Sequence, residues 1–188
     1  MLMPPDLPLH IGDGLHLRAL VPDDAGLLAE ATIGETAPSL WGPRPAGPYS
    51  LTDARAALAA WDPAAGGQFS FGVLEGQRLL GAVGLMPDQM GSAELAYWIR
   101  PEHRGRGVAS RALSAVTIWA HRSQAIVRAW LEINPANEPS LRVAQRAGYH
   151  FERRLPRHCR DWAADDASHD SWHDCLIWVH VEPQSPGR

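Results

Sequence analysis

Residues 104–109, Arg-Gly-Arg-Gly-Val-Ala, carry the strongest chemical signal in the chain. They stand directly behind the strand-like run Glu94–Ile99 and directly before a helical pattern that begins at Val108. A helix N-terminus presents unpaired backbone N–H groups and a partial positive charge. Glycines ahead of it let those groups approach a phosphate closely, and Arg104 and Arg106 add charge-assisted donors. The pattern R-x-x-G-x-A therefore reads as a diphosphate cradle over Arg104, Gly105, Arg106, Gly107, Val108 and Ala109. The Walker pattern and the G-x-G-x-x-G dinucleotide turn are both absent. Taken alone, so short a motif is equally a strand-to-helix turn with solvated arginines.

A second concentration of reactive side chains lies near the C-terminus: His158, Cys159, His169, His173 and Cys175. Their spacing fits neither a C-x-x-C pair nor an H-E-x-x-H helix, so no metal is expected. The acids Asp161, Asp165, Asp166, Asp170 and Asp174 face a run of Arg153, Arg154, Arg157 and Arg160. Either the acids draw a cationic substrate, or they form a solvated loop that pairs with the arginines.

The elements that must hold these residues are legible from periodicity. Leu15–Leu20 alternates as a half-buried strand, and Pro22, Asp23 and Asp24 open a helix. Residues 34–49 are rich in Gly and Pro and form a long loop that includes Trp41. Ser50 or Thr52 caps a second helix through Asp62. Strands are predicted at 68–74, 78–86 and 93–99, then a helix from Val108 to Arg122, a strand at 125–133, and a short helix that ends at Gly148. Two closing strands, 149–155 and 174–181, flank the acidic, His- and Trp-containing insertion. Trp119 and Trp130 are expected in the core. The order β-α-α-β-β-β-α-β-α-β-β describes a mixed α/β chain with a mainly antiparallel sheet of six to seven strands and about four helices.

Bulk properties restrict the function classes. A chain of 188 residues suits one domain, expected over 1–188 with flexible tails at about 1–12 and 182–188. It is 45% hydrophobic and 20% charged with a net charge of −4, which argues against a nucleic-acid partner. No apolar run is long enough to span a membrane and no signal peptide is evident. Two cysteines make no disulfide framework, so a reducing cytoplasm is the expected compartment.

Three stretches, 93–113, 133–152 and 171–181, together resemble the GCN5-related N-acetyltransferase (GNAT) superfamily, and within it the ribosomal-protein N-terminal (RimJ/RimL-type) branch. Leu15–Ala31 is similar to the family's first strand and helix. The resemblance implies a single GNAT-fold domain and acyl transfer from acetyl-CoA to a primary amine. It implies that main-chain groups of Trp98 and Ile99 pair with the pantetheine arm like an added strand. The diphosphate would then lie on the amides of Gly105 to Ala109 beside Arg104 and Arg106, with Asn137 bonding the arm. Glu94 would be the base, acting through water, and Ser140 would stabilise the departing thiolate, with Tyr149 and Tyr97 as lesser alternatives. "NEPS" also suits a plain helix cap, with Asn137 at the N-cap. A backbone N–H around Tyr97 to Ile99 would face the oxyanion, and His173 with Asp174 would shape the amine site. The acceptor is a protein or peptide α-amine or a small amine, on a monomer or a homodimer. The rivals are a catalytically silent acyl-CoA-binding module and a nucleotide-phosphate binder.

Overall fold

The computed structural model describes residues 8–33, 48–62, 68–89, 91–161 and 167–182. Trp41, Asp165 and Asp166 lie outside them. Eight strands form a single sheet in the order β1-β2-β3-β4-β5-β6-β8-β7. They are β1 (Leu9–Gly12), β2 (Leu15–Ala19), β3 (Phe69–Glu75), β4 (Arg78–Gln89), β5 (Ser92–Ile99), β6 (Arg128–Ile133), β7 (His150–Asp161) and β8 (Ser171–Val181). The helices are α1 (Ala25–Ala31), α2 (Leu51–Ala60), α3 (Val108–Gln124) and α4 (Glu138–Arg146). Every neighbouring strand pair is antiparallel except β5 with β6.

Two apolar layers cover the sheet. On one face α3 buries Val108, Ala112, Leu113, Val116, Trp119 and Ala120, the stripe its period predicts, together with α4. Trp119 stands edge-on to Phe69 and Phe71, with ring centroids 5.2 and 5.1 Å apart. On the other face α1 and α2 enclose Leu20, Leu28, Leu58, Leu74 and Leu79. Local chemistry starts these helices where the residue types demand. The Ser50 hydroxyl accepts from the Asp53 amide at 3.1 Å, and Asp53 accepts in return from the Ser50 amide. Asp24 accepts from both terminal nitrogens of Arg18 at 2.6 Å and from the Val21 amide, clasping β2 to the turn before α1.

Among the described residues the sheet has eight strands where six to seven were expected, and several element bounds shift. Residues 9–12, expected in a flexible tail, pair with β2 as β1; four residues containing His and Gly give too little alternation to be seen. The predicted strand 149–155 instead starts at His150 and runs on to Asp161, through Pro156 and a left-handed Arg157. A bulge absorbs these residues: Leu155 pairs with Cys175 and Cys159 with His173, so three residues of β7 face Asp174 alone.

A bulge in β4 also controls the end of β5. Val73 pairs with Gly81 and Leu74 with Leu79, leaving Leu80 as the extra residue. A Cβ at Gly81 would overlap the Trp98 carbonyl oxygen and lie 2.9 Å from Ile99 Cα. Gly81→Ala therefore has to displace the β5 backbone. It is expected to cost about 1–3 kcal/mol in urea unfolding; an unchanged midpoint would contradict this account of Gly81.

Candidate functional site

β5 and β6 begin as a parallel pair and then part. Only Ser92 with Arg128, Ala93 with Ala129 and Glu94 with Trp130 are joined. Each strand stays paired on its outer side, β5 with β4 as far as Ile99 and β6 with β8 as far as Ile133. The facing edges, 95–99 and 131–133, therefore enclose a notch lined by strand backbone. Donation from the Arg100 amide to the Leu80 carbonyl at 2.8 Å makes Ile99–Gly81 a non-hydrogen-bonded pair. By alternation, the main-chain groups of Tyr97 and Ile99 turn into the notch, whereas those of Trp98 point to Ala82 in β4. Trp98, expected to pair with the arm, thus turns its main-chain groups to β4, and Tyr97 holds the notch-facing position beside Ile99. The Ile99 carbonyl accepts from Arg104 Nε at 2.7 Å.

The notch ends beside the glycine turn. After a short 3-10 turn at Pro101–His103, Gly105 and Gly107 take φ values of 74° and 73°. This left-handed region strains any residue carrying a Cβ. Gly107 is the N-cap of α3 and provides no side-chain cap. The first bond back into the helix runs from the Arg111 amide to the Gly107 carbonyl, so the amides of Val108, Ala109 and Ser110 precede the ladder. An added Cβ at either glycine would meet nothing within 4 Å among the described residues. The two arginines expected beside the diphosphate have contacts within the chain. Arg104 reaches back to β5, and Arg106 Nη1 lies 3.3 Å from His103 Nδ1. Ser110 was not anticipated: its buried hydroxyl, in the first turn of α3, has no hydrogen-bond partner among the described residues. A serine directly after the R-x-x-G-x-A pattern was its only trace in the sequence.

The two faces of the notch carry different chemistry. On the α3–α4 face the hydroxyls of Tyr97 and Ser140 lie 2.6 Å apart. Burial pushes the Tyr97 phenol up to about 12, against the opposing effect of the Ser140 hydrogen bond, so it stays a neutral hydroxyl at ordinary pH. Asn137 caps α4 by accepting from the Ser140 amide at 3.2 Å, so Asn137 and Ser140 sit together for a structural reason as well. Tyr149 stands apart from this pair. Its buried hydroxyl lies 2.7 Å from Thr117 Oγ1, which in turn donates to the Leu113 carbonyl.

The opposite face is acidic. Burial first, then the charges of Glu132 and Asp88, raise the Glu94 carboxyl from its ordinary 4.5 to about 7. Glu132 is also raised, by burial, with His158 and His173 pulling the other way. His158 Nε2 lies 3.3 Å from Glu132 Oε1, without the alignment of a hydrogen bond. Trp130, expected in the core, is half-buried on this face and donates its indole N–H to Asp88 at 2.8 Å. Trp119 does lie in the core, 6% exposed.

Asp174, expected beside the amine site, has partners in β7. It accepts from Arg154 Nε and from the Arg157 amide, holding the β7 bulge opposite it. Arg160 pairs with Asp170. Part of the basic and acidic runs thus neutralise each other. Cys159 and Cys175, expected as separate thiols, form a disulfide with Cα atoms 5.8 Å apart. Among the described residues no helix is long and apolar enough to cross a membrane.

The acetyltransferase (GNAT) domain model matches residues 14–150. No curated protein sequence matches the chain. Solved structures share the fold at low identity. The ribosomal-protein-S5-alanine acetyltransferase of Vibrio fischeri is 17% identical with a TM-score of 0.80, covering 95% of this chain and 98% of its own. An acetyltransferase of Salmonella typhimurium that modifies the N-terminal serine of ribosomal protein L7/L12 is 16% identical, with a TM-score of 0.78 and coverages of 94% and 99%. RimJ of Mycobacterium smegmatis, solved with CoA-disulfide, is 19% identical, with a TM-score of 0.75 and coverages of 92% and 84%.

The raised Glu94 carboxyl has a stability consequence. Its folded-state pKa exceeds the unfolded value, so its contribution favours folding below about pH 4.5 and is lost as pH rises towards 7. Glu94→Gln should leave urea stability unchanged near pH 4 and raise it by up to about 3 kcal/mol near pH 8. Equal stability of the two proteins near pH 8 would contradict a desolvated carboxylate at this position.

Proposed function

The chain belongs to the acetyltransferase (GNAT) family, and from that premise we propose that it moves an acetyl group from acetyl-CoA to a primary amine in a single ternary complex. The observation that carries this reading is the three-row pairing of β5 with β6, which leaves strand backbone unpaired beside an uncapped helix start. Backbone groups of Tyr97 and Ile99 suit the amides of a pantetheine arm. Amides from Gly105 to Ala109, with Arg104 and Arg106 nearby, suit the diphosphate, and Asn137 borders the arm from α4. The Ser110 hydroxyl adds a donor at the same helix start.

The chain's own groups divide the proton work. Glu94 takes the proton that the acceptor ammonium must lose before its lone pair can attack. Its pKa of about 7 matches that task, because a base works best when it titrates near the operating pH. Across the notch Ser140 gives a hydrogen bond or a proton to the departing sulfur, and Tyr97 at 2.6 Å replenishes it. The main-chain N–H groups at the end of β5 are aimed at the carbonyl oxygen as it gains charge. The chain's two cysteines are joined to each other in the β7–β8 ladder and do not stand on the notch edges 95–99 and 131–133, which favours direct transfer.

The acceptor enters from the acidic face, where Asp88, Glu94 and Glu132 favour a cation. A protein or peptide α-amine is the preferred acceptor. The ribosomal-protein enzymes named above share the fold over nearly the whole chain, and a small amine would meet the same carboxylates.

Incubation with acetyl-CoA and a panel of peptides and small amines, read by mass, should yield acetylated product. CoA, but not ATP, should raise the melting temperature by mass action. Glu94→Gln is expected to lower kcat by roughly 10²–10⁴ with CoA binding retained, and to remove the fall in rate below about pH 7. A Glu94→Gln enzyme with normal turnover would remove Glu94 from the mechanism. Stabilisation by ATP equal to that by CoA would favour a general nucleotide-phosphate binder.

A further inference from the structure

The β7 bulge gathers donors that the acyl-transfer notch does not use. Cys159, His173 and Cys175 each offer one ligand atom, and these atoms all lie within 4.8 Å of one another. They come from two paired strands, with Cys159 opposite His173 and Cys175 two residues further along β8. Only the two extra residues of the bulge, held by Asp174 on the Arg157 amide, bring Cys159 level with both. Cys175 is fully buried, and the other two are half-buried.

We propose that this cluster is a binding site for a soft divalent cation of the zinc class, formed by the Cys159 and Cys175 thiolates with the His173 imidazole. The donor set is the one zinc prefers: two sulfurs and a nitrogen. With bonds of about 2.3 Å to sulfur and 2.0 Å to nitrogen, tetrahedral zinc holds its donors roughly 3.3–3.8 Å apart, so the two sulfurs, joined here, have to part on reduction while all three donors stay within the 4.8 Å they already span. A cross-link between neighbouring strands needs neither an imidazole at the same point nor a bulge to bring one there. Three protein donors leave a fourth corner for water, the arrangement of an open site.

The disulfide is the oxidised form of the same cluster and excludes the ion. Reduction by a small thiol delivers two electrons and two protons to the sulfurs, and the thiol leaves as its own disulfide. Binding of the cation then forms two metal–sulfur bonds and releases both thiol protons. The site lies one strand from the acidic face, because Glu132 pairs with Ile177, two residues beyond Cys175 in β8. Nothing in it depends on the acyl-transfer reading.

Cobalt titration of the full chain, reduced with a phosphine and then freed of it under anaerobic conditions, tests the site. Reduced protein should bind a single Co2+ per chain, with a thiolate-to-cobalt charge-transfer band that Zn2+ abolishes, and the oxidised chain should give no band. His173→Ala should raise Kd by at least about tenfold. Cys159→Ser should lose much of the band, and it stays informative should substitution of the fully buried Cys175 unfold the chain. The proposal is overturned if reduced protein with both thiols titratable gives no band, if the thiols resist reduction, or if His173→Ala binds as tightly as the parent.

Discussion

The parting of β5 from β6 is the constraint on which the rest of this structure depends. A buried backbone amide without a partner costs free energy, so a sheet that opens in its middle needs a reason to stay open. Here both strands are fixed on their outer sides, β5 by seven rows of β4 below the bulged end and β6 by its register with β8. Neither can swing across to close the gap. The bulge at Leu80 and the missing side chain at Gly81 let β4 hug the end of β5 just where β6 has left it. Arg104 then turns back to the Ile99 carbonyl and ties the glycine turn to the strand it follows. An uncapped helix start and an open strand edge are thereby fixed side by side.

Electrostatics divides the work between the two faces of that gap. On one side burial keeps Tyr97 protonated next to Ser140, a pair suited to giving a proton. On the other, burial and two neighbouring carboxylates raise the Glu94 carboxyl to about 7. Both states arise from desolvation, which the sheet supplies by alternation: Tyr97 and Glu94 have opposite parity in the same strand. The charge that Glu94 carries once deprotonated opposes folding at neutral pH, a tension common where an ionisable group is half-buried.

Much of this was visible in the residues themselves. Glycines before a helix with no capping side chain mark the turn, and the apolar stripe of α3 is readable at a glance. Asn137 and Ser140 sit where their types predict. What escaped was information carried between strands. Choosing Tyr97 over Trp98 as the notch residue requires knowing which edge of β5 faces β4, and that depends on the register with Gly81. Trp130 resembles a core residue in its own strand; only the neighbouring Asp88 gives its indole nitrogen a polar destination. The bulge of β7 hid most of all, because Pro156 and a left-handed Arg157 read as the end of a strand and not its middle. Cysteines sixteen residues apart, with an imidazole between them in sequence, carry no recognisable spacing until that bulge is formed.

The most direct measurement is a map of backbone amide shifts in 15N-labelled protein as coenzyme A is added. The account predicts that the largest changes fall on Gly105 to Ser110 and on Tyr97 and Ile99, with the amides of β7 and β8 little affected. Binding whose shifts spare the glycine turn and the notch edge, or no shifts anywhere at saturating coenzyme, would contradict it.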